Sequence, residues 1–128
     1  MNKFRLWDNR LKELYKSDEI TIQIKGQEIL ACHSSSLHQF IDYVLMQSTG
    51  LKDKNGVEIY EGDIVEFKYP YDKRIKSTGV IVRNDNEACF GISMKETTEQ
   101  YELYRVTAEN YLTVIGNVHQ HPELLEDN

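Results

Sequence analysis

A chain of 128 residues, 40% hydrophobic and 28% charged, has the size of one domain and is too apolar to remain unfolded throughout. Its net charge of −6 arises beyond residue 46: residues 1–46 hold six basic and six acidic side chains, residues 47–128 nine and fifteen. That balance repels phosphate backbones and argues against general DNA binding, and no apolar run reaches the roughly 18–20 residues of a membrane-spanning helix.

The opening segment, Met1-Asn2-Lys3-Phe4-Arg5-Leu6-Trp7-Asp8, has an acidic residue by position 8 and no apolar stretch of the secretory type, so a cytoplasmic protein is expected. Ile20-Thr21-Ile22-Gln23-Ile24 alternates apolar and polar, and after Lys25-Gly26 the pattern resumes as Gln27-Glu28-Ile29-Leu30-Ala31. This predicts a hairpin with a two-residue loop, Ile22 opposite Ile29 and Ile20 opposite Ala31. The run from His33 to Met46 fits both helical and strand spacing; a helical turn at 35–40 and a strand at 42–48 are expected.

Asn55-Gly56 has the residue types of a type I′ turn, and Glu61-Gly62-Asp63 those of a tight turn feeding the strand Ile64–Tyr69. Pro70 interrupts that strand, because it lacks the donor a ladder requires. A second hairpin is predicted from Gly79–Arg83 through Asn84-Asp85-Asn86 into Ala88–Ile92. Residues 95–100 read as exposed. Tyr101, Leu103, Tyr104 and Val106 fit a strand or a helix, and Tyr111 to His119 reads as the final strand. Five to seven short strands with short helical segments make the expected fold mainly β, a single domain over 1–128 built as a barrel or folded sheet.

The run from Leu45 through Gly50-Leu51-Lys52-Asp53-Lys54-Asn55-Gly56-Val57-Glu58-Ile59-Tyr60-Glu61-Gly62-Asp63 to Val65 resembles the YopX family of phage and prophage proteins. Phe4-Arg5-Leu6-Trp7-Asp8 is similar to that family's opening, and Val114-Ile115-Gly116-Asn117-Val118 with Pro122-Glu123-Leu124-Leu125 to its close. Ser48, where an aromatic residue is common, and His119-Gln120-His121 depart from the pattern. The resemblance implies a folded mixed sheet or pseudobarrel and a gene carried by a phage or an integrated element, hence the cytoplasm of a bacterial host. It brings no catalytic residues with it. Turn chemistry accounts for the motif: Gly50, Asn55, Gly56, Gly62 and Asp63 occupy turns, with Leu51, Ile59, Ile64 and Val65 packed beneath.

Chemistry-bearing residues are sparse. His119 and His121 form an H-x-H pair with Glu123 or His33 as further candidates, but no third ligand has recognisable spacing, so no metal is expected. Cys32 and His33 are adjacent on a strand and point to opposite faces, which denies them a nucleophile–base bond. Two cysteines lacking a CxxC partner suit a reducing compartment, although a single Cys32–Cys89 bridge stays open; Cys89 itself reads as a sheet residue. Glu61 and Asp63 read as exposed turn carboxylates. Without a Walker loop, GxGxxG, GxSxG or HExxH, no cofactor and no familiar enzymatic activity are expected. An unfamiliar enzyme would have to gather distant residues such as His33, Asp63 and His119.

Lys68, Tyr69, Tyr71, Lys73, Arg74 and Lys76 form a basic and aromatic cluster of the composition used by single-strand binders, diluted by Asp72. Eight tyrosines suit interfaces as well as half-buried sheets. The leading expectation is therefore a non-enzymatic accessory protein that contacts a host or phage protein and forms a homo-oligomer. The alternative is a small nucleic-acid-binding barrel using residues 68–76.

Overall fold

The computed structural model describes residues 3–36, 38–68, 76–84, 89–97 and 99–126. The chain divides into two compact units, Met1–Gln47 and Ser48–Asn128. Eleven strands and one α-helix lie among the described residues, so the mainly β class holds, and every strand pairing described is antiparallel. The strands exceed the predicted five to seven because three-residue strands such as Glu13–Tyr15 and Glu58–Tyr60 carry too little alternation to be seen in sequence.

In the first unit, β1 (Phe4–Asp8) lies between β2 (Glu13–Tyr15) and the beginning of β5 (Tyr43–Lys52). Asp8, nearly buried, closes the β1–β2 turn by accepting the Arg10 amide at 2.8 Å. β3 (Ile20–Lys25) and β4 (Glu28–His33) form the predicted hairpin in a different register: Ile22 faces Ala31 and Ile24 faces Ile29. The loop is Gly26-Gln27, with Gly26 at φ 58°, the glycine-first arrangement of a type II′ turn. A shift of two residues leaves every side chain on its predicted face, because alternation has period two. The core of this unit joins Leu6, Ile20, Ala31 and Phe40, flanked by Tyr15, Ile22, Tyr43 and Leu45. No helix is described at 35–40: residues 34–36 form a turn, Gln39 bridges to Cys32, and Leu37 lies outside the described residues.

The second unit takes up β5 from Ser48, followed by β6 (Glu58–Tyr60), β7 (Asp63–Lys68), β8 (Lys76–Asn84), β9 (Cys89–Met94), β10 (Gln100–Glu102), α1 (Arg105–Tyr111) and β11 (Leu112–Asn117). A five-stranded sheet runs β10-β9-β8-β7-β11. The predicted second hairpin is β8–β9, although residues 85–88 of its loop lie outside the described residues. The ambiguous stretch divides: Tyr101 is in strand, while Val106 is in the helix and Tyr111 ends it. That helix buries Ala108 against Leu112, Ile59, Val65, Ile81, Ile92 and Leu103, the core of the unit. Pro122–Leu125 makes a final 3₁₀ turn.

Candidate functional site

The glycine-rich motif is a set of backbone clamps. Gly50, Gly56 and Gly62 all have positive φ, at 77°, 81° and 86°, where a Cβ is disfavoured. Gly50 lies within β5, where the register against β6 shifts between Ser48 and Lys52, so its expected turn is a strand irregularity. The hydroxyls beside it hold that irregularity: Ser48 accepts the Gly50 amide at 3.1 Å, and Thr49 donates to the Ile59 carbonyl at 2.8 Å. Ser48, the departure from the family pattern, thus has a local task. Asn55 does not take positive φ, so the loop is not type I′; the Gly56 amide instead closes a four-residue turn on the Asp53 carbonyl at 3.0 Å.

Asp53 organises this region through contacts that no local sequence pattern marks. Buried to 3% exposure, it accepts the amides of Asn55 and Val57 through Oδ1 and of Val114 through Oδ2, each at 2.9 Å, tying the loop to β11. Asp63 was expected in an exposed turn. It is 1% exposed, and its Oδ2 accepts the Tyr60 amide at 2.8 Å. A buried carboxylate with an amide donor is stabilised where an exposed one would be merely solvated.

The remaining candidate residues also take structural places. His33 packs with Tyr15 and Phe40 at centroid distances of 4.8 and 4.2 Å. His119 lies in a turn rather than on a strand, and its amide donates to Asn117 Oδ1 at 3.0 Å. His121 Nδ1 accepts the Asn117 amide at 3.2 Å, against Gly116, where a Cβ would come within 2.7 Å of that nitrogen. Neither Cys32 nor Cys89 is disulfide-bonded. Within the basic cluster, Lys68 and Lys76 are cross-strand partners at the end of β7–β8; Tyr69, Tyr71, Lys73 and Arg74 lie outside the described residues.

One feature with room for a ligand among the described residues carries no sequence motif: a cleft of about 730 Å³ in the second unit. Val65 and Phe67 of β7, Gly79 of β8, and Ile92 and Met94 of β9 supply an apolar wall continuous with the core. Ser77, Thr97 and Thr107 add hydroxyls, and Glu96, Glu102, Tyr101 and Tyr104 complete the lining. That volume lies within the range of small-ligand sites and side-chain pockets. Two glycines allow the surrounding strands to pack: a Cβ on Gly79 would come within 2.6 Å of Ile92 Cγ2, and one on Gly91 within 2.9 Å of the Tyr101 carbonyl. Tyr101 and Tyr104 are exposed, and their hydroxyls donate to Glu99 and Glu102. The bond to Glu99 raises the Tyr101 phenol above its ordinary value, since the ionised phenol would lose that donor and face the carboxylate. Sequence held a partial signal in the repeated Glu-x-Tyr spacing at 99–101 and 102–104, which Glu13 and Tyr15 share with the same hydroxyl-to-carboxylate bond.

No helix among the described residues is long and apolar enough to cross a membrane. No match was found among curated proteins. The fold is similar to the crystal structure of protein EF1440 from Enterococcus faecalis, with 31% identity over 98% of this chain and 99% of that one, at a TM-score of 0.67. It is similar also to the crystal structure of protein yopX from Bacillus subtilis, with 23% identity over 100% of this chain and 99% of the other, at a TM-score of 0.70. A family model described as YopX protein matches residues 3–126, and the chain belongs to the YopX family.

Proposed function

We propose that this chain is a non-enzymatic interaction protein of a phage or prophage, acting in the cytoplasm of its bacterial host and binding a host or phage protein through the cleft of the second unit. The observation that carries the reading is the cleft itself, an apolar wall of Val65, Phe67, Ile92 and Met94 overlooked by two exposed tyrosines. Tyrosine supplies broad contact area at small entropic cost, and apolar concavities beside it are where anchor side chains bury. None of His33, Asp63 and His119, the residues an unfamiliar enzyme would gather, lines that cleft. Self-association is the second part of the proposal, supported by the Ile24–Ile29 pair left exposed on the β3–β4 hairpin.

The test is affinity capture from host lysate, with and without nuclease, comparing the natural chain with Ser77→Trp, which fills the cleft. A nuclease-resistant protein retained by the natural chain and lost by the variant supports the reading; equal capture by both refutes it. The nucleic-acid alternative draws on Lys68 facing Lys76 across β7–β8, a like-charged pair whose repulsion an anion would relieve, with Lys68 also 3.9 Å from Glu66. It requires instead that the captured material be nucleic acid released at high salt and lost in Lys73→Glu with Arg74→Glu. Sedimentation of Ile24→Lys beside the natural chain tests self-association, with a fall in mass expected.

A further inference from the structure

The carboxylates around the cleft identify its occupant more closely than shape does. Glu96 and Glu102 line it, and Glu99 is held beside it by the Tyr101 hydroxyl. No lysine or arginine is among the described lining residues. Two described cations next to lining residues make contacts outside the cleft: Lys95 Nζ donates to the Glu126 carbonyl at 3.1 Å, and Arg105 pairs with Glu109 at 3.3 Å. Lys68 and Lys76 each lie one residue beyond the lining positions Phe67 and Ser77, so strand alternation directs them to the opposite face of the sheet. Among the described residues the cleft thus combines an apolar floor, two aromatic side chains and a rim whose charged lining groups are carboxylates.

We infer that the cleft takes a linear segment of a partner protein, one with an apolar or aromatic anchor and lysine or arginine within a few residues of it. The inference rests on the interaction reading above and adds the chemistry of the partner. The anchor fills the floor formed by Phe67, Ile92 and Met94. The flanking cation meets Glu96 or Glu102 and the faces of Tyr101 and Tyr104, where ring and carboxylate act together on a positive charge. An acidic segment would meet like charge at the rim, and an entirely apolar one would leave the carboxylates without partners.

Selection of random displayed peptides of about twelve residues on the full-length protein tests this directly. Enriched peptides are expected to share an aromatic or large aliphatic residue flanked by Lys or Arg. Their binding should weaken about tenfold in Glu96→Lys with Glu102→Lys, whose exposed positions leave the fold intact, and binding to the unaltered chain should weaken as salt is raised. Ser77→Trp should abolish it while circular dichroism stays unchanged. Enriched peptides without basic residues, binding indifferent to the charge reversal, or no enrichment over background would each overturn the inference. A lysate partner lost on Ser77→Trp whose contacting segment is neutral or acidic would overturn it too, while leaving the interaction reading standing. Failure of cleft-dependent capture would remove both.

Discussion

Asp53 shows how much one side chain can hold. Three amides, of Asn55, Val57 and Val114, converge on its carboxylate inside the second unit. Asp53→Ala removes the shared acceptor from all three, and a loss of about 3 kcal/mol is expected by urea denaturation. Asp53→Asn retains one acceptor oxygen and should lose roughly half as much, about 1–2 kcal/mol. Tyr101 offers a residue-scale pH test. Its phenol is raised above the ordinary 10.0 by the bond to Glu99, so the folded chain holds that proton more tightly than the unfolded chain does. The corresponding stabilisation is complete below the ordinary value and is lost as pH climbs through the raised one. Burial and the bond to Glu13 raise Tyr15 as well, so phenolate absorbance should contain late-titrating tyrosines, of which the Tyr101 contribution disappears in Tyr101→Phe, with little change in stability because the ring is exposed.

At the scale of elements, the strands differ in how they are covered. β7 and β8 are inner strands of the five-stranded sheet and carry the fully buried Ile64, Val65 and Ile81, whereas the β3–β4 hairpin is a two-stranded sheet with Ile24 and Ile29 exposed near its tip. Hydrogen exchange should find the amides near Ile24 and Ile29 among the fastest strand amides and those of Val65 and Ile81 among the slowest. Turns obey backbone sterics rather than burial. Gly62→Ala places a Cβ at φ 86° and should cost about 1 kcal/mol, read from the denaturation midpoint at unchanged slope. At Gly79 the objection is packing. Alanine there meets Ile92 Cγ2, and the strain of about 1–3 kcal/mol should come with a narrower cleft and weaker peptide binding.

For the molecule as a whole, each unit has its own apolar cluster and one cysteine: Cys32 in the first, Cys89 in the second. Both thiols should react with a disulfide reagent in the denatured chain without prior reduction, and a count of zero would contradict the unbridged assignment. The −6 charge resides in the segment that forms the second unit, where three of its carboxylates stand at or beside the cleft. Charge counting locates the acidic excess in that segment, but cannot show that part of it stands around an apolar floor.

Period-two alternation by itself determined that residues 20–31 form a hairpin and which side chains share a face, because that information is local and survives a slip of two residues. Glycine spacing likewise marked three positions of positive φ, since only the missing Cβ makes such backbone inexpensive. Tertiary structure alone decided the register, which depends on Gly26-Gln27 serving as the turn. It alone decided the burial of Asp53 and Asp63, whose amide partners include Val114, 61 residues from Asp53. The cleft lies furthest from the sequence, drawing on residues 65 to 107 across four strands and a helix; no periodicity within one segment can report a surface formed only when those segments meet.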